Sequence, residues 1–504
     1  MKQVPNLEKS QNFQWKRILL IKPNYTTKGW DFYNVNFPPL NLAYIASYLS
    51  DLELTVKILD AKVRKLNNKQ IRKKIEKYKP DVVGISVFVS AAITICYDIA
   101  KIVKDYNQNC TVVFGGRHPT FIPDETLKAE DVDIVVRGEG ELTFRELIIK
   151  GSPENIKGIS YKINGNIIHN EDRPLMSKNE YAKIRFPDRQ LLKNVEYKII
   201  RLHLQTIETS RGCPYSCKFC TTPTMNNGLW RPRIVENIIS ELKMISQNRK
   251  ITDIFFVDDN LTVDTKRIEE LCERIIESKK RGEINNFKFF AQVRVDDVVR
   301  APKMVKTMAD AGFWLLFIGI ESASEESLKE MKKQISFNTV LKAIEIIHKN
   351  RIVVIGNLIL GIDLNATEED IKKEIQFMKK VDVDVLSYVI LTPYPGSITL
   401  EELEEKNLVI TKDWSRYTSF NPVIKTRQLS PVKLHNLLLY SFHELGYFRS
   451  YLATSKRIIK KRSITFFLNP RRLILFINSF LQSRSLSVKL HTFSSDSIRK
   501  LLLV

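Results

Sequence analysis

The sequence has no run approaching the eighteen or more apolar residues that a membrane span requires, and its opening stretch, MKQVPNLEKSQNFQWKR, lacks the apolar core of a signal peptide. A cytoplasmic chain with reduced thiols is the expectation. Cysteine is scarce, at six in 504 residues, and Cys96, Cys110 and Cys272 each stand alone. Acidic residues nearly vanish from the end of the chain. Residues 421–504 carry fifteen Lys and Arg against only Glu444 and Asp496, so +13 of the formal net charge of +22 falls there. That polarity implies a polyanionic partner, either nucleic acid or an anionic membrane face. The apolar content of LILFINSFL suits lipid better and disfavours nucleic acid. At 43% hydrophobic and 27% charged the composition is otherwise that of a folded protein, long enough for two or three domains.

What is present is concentrated in residues 206 to 223, TIETSRGCPYSCKFCTTP, where Cys213, Cys217 and Cys220 fall within eight residues. Arg211, Gly212, Pro214, Tyr215, Ser216 and Lys218 make this stretch a loop, so the thiols are reachable. Three thiolates can hold three corners of a cubane iron-sulfur cluster and leave the fourth open to a small molecule. Structural zinc wants four ligands, usually as two close pairs, and no second Cys/His pair lies nearby. The spacing Cys-x3-Cys-x2-Cys, with Phe219 before the last cysteine, resembles the signature of the radical S-adenosylmethionine (SAM) enzymes. The resemblance implies a 4Fe-4S cluster on Cys213, Cys217 and Cys220. It also implies SAM bound at the open iron, reductive cleavage to a 5'-deoxyadenosyl radical, and an external electron donor such as ferredoxin or flavodoxin.

Residues 1–160 alternate short apolar runs (ILLI, VKILD, DVVGISV, TVVFGG, DIVV) with helical stretches, which predicts an α/β doubly wound, flavodoxin-like parallel sheet. Its ligand belongs beyond the carboxyl ends of the strands, at Pro23, Asn24, Ser86, the Gly115-Gly116-Arg117-His118 loop and Gly138-Glu139-Gly140. The GGRHPT and VVRGEGE stretches resemble the cobalamin-binding domain that precedes the radical domain in one branch of the family, the methyltransferase and cyclase branch. The resemblance implies cobalamin held near Gly115, Gly116, His118, Gly138 and Glu139. Many such domains take a cobalt ligand from an Asp-x-His-x-x-Gly motif after the first strand. Here the equivalent stretch, IKPNYTTKGW, has no histidine, which leaves the lower face of the cobalt to water or a nearby side chain. His118 reads as a hydrogen-bonding loop residue. Residues 161–199 read as a connector, entered through a hairpin that turns at Asn164-Gly165.

From residue 200 to about 400 strand and helix alternate six times, which predicts a partial (β/α)6 TIM-type barrel with its site at the carboxyl ends of the strands. One helix is expected over residues 324–349. Polar residues gather at the strand ends: Asp258, Asp259 and Asn260, Gln292 and Arg294, Glu321 and Ser322, Asn357, and Thr392 with Tyr394. Arg294 and Glu321, charged within apolar runs, are expected to be functional or paired with each other. By resemblance, Glu321, Asn357 and residues 391–397 are candidate SAM contacts, and VDDNLT stands where the family's glycine-rich segment would be. Residues 401–504 form a basic, mainly helical region whose segments either lie in a membrane interface or cover the barrel's open side. The activity expected from the resemblance is functionalisation of an unactivated carbon, by ring formation or C-methylation, on a hydrophobic or lipid substrate. A methylthiotransferase would need a second cysteine trio, and none is present. A cofactor-sensing protein that releases no 5'-deoxyadenosine is the rival from outside catalysis.

Overall fold

The computed structural model describes residues 13–25, 36–199 and 202–445. The described residues form two compact units, one including Pro38–Met176 and Arg185–Glu196, the other including Ser177–Ile184 and the described residues from Tyr197 to 445.

In the first unit, β1 (Arg17–Lys22), β2 (Thr55–Asp60), β3 (Val82–Ser86), β4 (Thr111–Gly115) and β5 (Ile134–Val136) pair in parallel in the order β2-β1-β3-β4-β5. That is the order of flavodoxin-like doubly wound sheets, as expected. All five residues of β3 are buried, because a central parallel strand is covered on both faces. Helices Leu40–Ser47 and Gly140–Lys150 pack on the face that carries Leu20, Val113 and Val136. The hairpin turning at Asn164-Gly165 forms β6 (Ile159–Ile163) and β7 (Asn166–His169), which extend the same sheet antiparallel.

The second unit is built on a seven-stranded sheet. Its first strand, β8 (Lys198–Ile199), lies antiparallel to β9 (Leu202–Ile207). The loop that follows contains β10 (Ser210–Arg211), paired antiparallel with β11 (Arg231–Pro232). Then come β12 (Asp253–Phe256), β13 (Lys288–Val293), β14 (Phe313–Glu321), β15 (Val353–Leu360) and β16 (Val385–Ile390). From β9 to β16 the six main strands are parallel neighbours in chain order, the arrangement of an open (β/α)6 barrel. Right-handed crossovers are the rule for such parallel units and put the connecting helices on one face. Phe256, Phe289 and Phe313 are sealed on that face, while β14 and β15 alternate buried with half-buried residues toward the other.

One element departs from its expected form. Residues 324–349 are two helices, Glu325–Glu330 and Phe337–Lys349, separated by a turn in which Lys332 and Gln334 have positive φ. The helical periodicity continues through the break, but Ser336 caps a fresh helix, accepting from the Thr339 N–H, and tertiary bonds to the turn outweigh propensity. At the far end, residues 413–422 lie against β16, with Ile390 N–H donating to the Ser419 carbonyl. Helix Pro431–Glu444 buries Leu434, Leu437 and Leu438 and joins helix Glu368–Met378 through Gln376, Lys379 and Glu444. The start of the basic tail is thus part of the barrel's packing. The remaining expected membrane-facing stretch, from residue 446 on, lies outside the described residues. Among the described residues, no helix is long and apolar enough to cross a membrane.

Candidate active site

The three cysteines sit on the loop after β9, at the carboxyl end of the barrel. Cys217 is buried, Cys213 and Cys220 are half-buried, and none is disulfide-bonded. The loop is anchored at both ends. At its start Asp258, buried just past β12, accepts from Thr209 N–H at 3.0 Å, Thr209 Oγ1 at 2.7 Å and Ser210 Oγ at 2.5 Å. Arg267 donates to the Thr209 carbonyl at 2.8 Å from the other side. At its end, Thr222 Oγ1 donates to exposed Asp259 at 2.9 Å, and its backbone N–H lies 3.4 Å from Cys220 Sγ. In the middle, Lys218 N–H donates to the Met331 carbonyl, Lys218 Nζ donates to Glu402 at 2.6 Å, and Thr399 N–H donates to the Lys218 carbonyl. Burial pushes the Cys213 thiol up to about 11. A metal must therefore displace its proton on binding.

The charged strand-end residues are paired, though not with each other. Arg294 binds Asp296 through two bonds of 2.9 and 3.1 Å, stacks 3.5 Å over the Tyr215 ring of the cysteine loop, and donates to the Lys333 carbonyl. Glu321 accepts from Lys333 Nζ at 2.8 Å, with both side chains buried. Glu321 itself has φ of 64° where the β14–β15 register shifts. Lys333 was not singled out in the sequence, because it lies inside what reads as a continuous helix. Asn260 donates to a second hub, buried Asp297, which also accepts from Thr262, Arg300 and, at 3.4 Å, the Tyr215 hydroxyl of the cysteine loop. VDDNLT is therefore a set of struts. Thr392 is buried and satisfied by the Ile390 carbonyl, and Ser322 donates to Glu374.

Tyr394 is half-buried, its hydroxyl 2.9 Å from Ser419 Oγ. Gln292 and Asn357 face the concave side of the barrel. Gln292 is exposed beside Phe317 in register, and Asn357 lies between Gly319 and Ser387. Toward the base of this face Phe255 stacks on Phe290 at 4.7 Å, and Phe317, Val353 and Ile355 continue the lining, half-buried. The concavity is apolar at its floor and carries amides nearer the cysteine loop.

In the first unit the expected ligand-facing residues lie at the strand ends. Gly116 has φ of 115°, and an added Cβ would stand 2.6 Å from the Val87 carbonyl oxygen, so a side chain is excluded there. Around Gly138 (φ 70°) an added Cβ would meet nothing within 4 Å. Glu139 accepts from Met176 N–H at 2.9 Å. His118 is buried, its Nδ1 2.9 Å from Ser90 Oγ, and burial lowers its pKa to about 4. A base whose folded pKa is depressed contributes stability above its unfolded pKa and loses it as pH falls. This unit is therefore expected to weaken below about pH 6.5. His118→Asn should flatten that part of the curve, as read by thermal unfolding at pH 5 and pH 7.

These residues fit the expected groups. A cubane takes each thiolate on a different iron, and Arg294 acts on Cys213 and Cys217 and Lys333 on Cys217, positive charge that would compensate thiolates there. An α/β sheet with glycine-lined strand ends, followed by a partial barrel with a cysteine trio at its mouth, defines a radical SAM enzyme with a cobalamin-binding domain. Family models agree: a B12 binding domain matches residues 33–148 and the radical SAM superfamily matches residues 207–378.

The chain belongs to the cobalamin-dependent radical SAM methyltransferase and cyclase family, and its cofactors are a 4Fe-4S cluster, SAM and cobalamin. It is 34% identical to an uncharacterized methyltransferase of Pyrococcus horikoshii, over 91% of this chain and 94% of that one. It is 27% identical to the anaerobic magnesium-protoporphyrin IX monomethyl ester cyclase of Rubrivivax gelatinosus, over 81% and 73%. Its fold is similar to that of the cobalamin-dependent SAM radical enzyme OxsB, solved with aqua-cobalamin and SAM bound. The TM-score is 0.69 at 19% identity, covering 97% of this chain and 82% of that one. Like the rest of the family, it needs an external electron donor.

Proposed function

We propose that the enzyme forms a carbon-carbon bond at an unactivated carbon of a large hydrophobic substrate, a membrane lipid such as an isoprenoid or hopanoid, with C-methylation as the outcome. The observation that carries this is the apolar floor of the barrel, where half-buried Phe255, Phe317 and Ile355 lie over buried Phe290 on the concave face, a lining suited to a substrate without charge. When bound, the cluster and SAM supply the 5'-deoxyadenosyl radical, and cobalamin supplies the methyl group. The chain's own part is to hold and exclude. Cys213, Cys217 and Cys220 hold the cluster, and Gln292 and Asn357 are the polar groups left to orient SAM or substrate above the apolar floor. Gly115, Gly116, Gly138 and Glu139 shape the strand ends that hold cobalamin. Ferredoxin or flavodoxin is the proposed donor, and the basic residues after 446 the proposed membrane contact.

A second reading, ring closure on a tetrapyrrole, is favoured by the similarity to the protoporphyrin ester cyclase. Mass spectrometry of host extracts, with and without the gene and fed methyl-labelled methionine, separates the two. Gene-dependent label in an apolar lipid is the expected result. Absence of such label, together with a gene-dependent change in tetrapyrroles, would overturn the lipid reading. For the apolar floor, Phe255→Asp should abolish product formation while leaving uncoupled 5'-deoxyadenosine release measurable, by chromatography of anaerobic reactions with SAM and dithionite.

A further inference from the structure

The pair formed by Glu321 and Lys333 is expensive in its position. Both side chains are buried, at 7% and 8% exposure, and removing two charges from water costs several kcal/mol that well-packed apolar residues would not incur. The backbone is strained around the pair: Glu321, Lys332 and Gln334 all have positive φ, of 64°, 54° and 49°, a region unfavourable to non-glycine residues. The same strand, two residues earlier, leaves room for it. A Cβ on Gly319 would collide with Glu321 Oε1 and stand 2.7 Å from Lys333 Nζ, so the pair lies directly on the inner face of β14.

Its surroundings connect it to the cysteines. The turn bearing Lys333 accepts the Lys218 N–H through Met331, one residue from Cys217, and accepts Arg294 through its own carbonyl at 3.2 Å. Arg294 in turn covers Tyr215, midway between Cys213 and Cys217. The two charged groups meet directly, Lys333 Nζ donating to Glu321 Oε1 at 2.8 Å. Backbone geometry, burial and contacts thus converge on two opposite charges, whose turn is bonded to the residue after the middle cysteine.

We propose that Glu321 and Lys333 are positioning residues for charge, which together set the reduction potential at the cysteine trio. The inference rests on the reading that the trio holds a cluster. The step concerned is the arrival of one electron from the external one-electron donor, which lowers the cluster charge by one unit, with no bond formed or broken. A fixed positive charge nearby favours the reduced state and a fixed negative charge opposes it, because cluster potential follows local charge and solvent exposure. As a matched pair the two residues cancel. Changing either alone unbalances the site by one unit charge in a known direction.

The test is an EPR-monitored redox titration of the full chain, anaerobically reconstituted and free of SAM. Lys333→Met should move the midpoint to more negative values and Glu321→Gln to more positive values. Each shift should correspond to about a tenfold change in the ratio of reduced to oxidised cluster, or about 59 mV for one electron. The double variant should return near the parent, and Lys333→Arg, which keeps the charge, should not move. Shifts in the same direction, or no shift in either single variant, would overturn the proposal. Iron and sulfide content of the parent separates this from failure of the cluster reading itself: a parent without a cubane signal defeats that reading first. If a single variant retains too little cluster to titrate, Lys333→Arg paired with Glu321→Asp, both expected at the parent potential, decides whether charge or packing is responsible.

Discussion

Replacing any one of Cys213, Cys217 or Cys220 by alanine reduces 5'-deoxyadenosine formation to background, whereas Cys272→Ala leaves it near that of the parent. Two thiolates cannot hold a cubane against loss of iron, and each of the three is on a loop braced so that it has no substitute. Iron in the purified protein should fall with activity in each of the three variants. Cys272 lies fully buried in helix Thr265–Lys280, where burial pushes its thiol far above the ordinary range, so it is neither a ligand nor a nucleophile. Its removal opens a small void worth about 1 kcal/mol, visible in unfolding and not in SAM cleavage. Equal losses at all four positions would mean that the variants report on folding alone, and the cysteine trio would have no special standing.

Much of this architecture is legible in the residues because buried parallel strands announce themselves as apolar runs. ILLI, TVVFGG and FWLLFIGIES need no partner to be recognised, and the hairpin at Asn164-Gly165 carries its own turn chemistry. The cysteine trio is legible for a different reason, since its spacing is local. Partner choice is another matter. Arg294 and Glu321 look like each other's counter-ions along the chain, but Arg294 takes Asp296, two residues away, and Glu321 takes Lys333, twelve residues on. Nothing in the heptad-like pattern of residues 324–349 marks the turn that presents Lys333, apart from Ser336, which fits the N-cap of a second helix. Asp258 is a different case. A carboxylate at a strand end reads as a ligand contact because that is where ligands bind, and only the fold shows its oxygens already occupied by Thr209 and Ser210.

That occupancy makes Asp258 the site of the second large effect. Asp258→Ala should cost about 3–5 kcal/mol of unfolding free energy in the barrel, the range for removing one member of a buried charged network. Three donors lose their acceptor at once, and Arg267, itself largely buried, is left with the Thr209 and Arg233 carbonyls and no nearby buried carboxylate. Burial raises the pKa of Asp258, while the bonds from Ser210 and Thr209 and the charge of Arg267 work the other way, so the carboxylate depends on its donors as much as they depend on it. Asp258→Asn keeps the shape but brings an amide donor toward Thr209 or Ser210, and should fall between alanine and the parent. Thr209→Val removes a single hydroxyl donor and should cost only about 1 kcal/mol. Denaturant unfolding of the SAM-free protein measures all three, with iron content followed in parallel, because the strut fixes the loop only four residues before Cys213. A contact to SAM would behave in the opposite way, leaving the SAM-free protein as stable as the parent and weakening SAM binding alone. The ordering alanine, asparagine, then valine at Thr209, seen without SAM present, is what distinguishes a brace for the cluster loop from a hand on the cofactor.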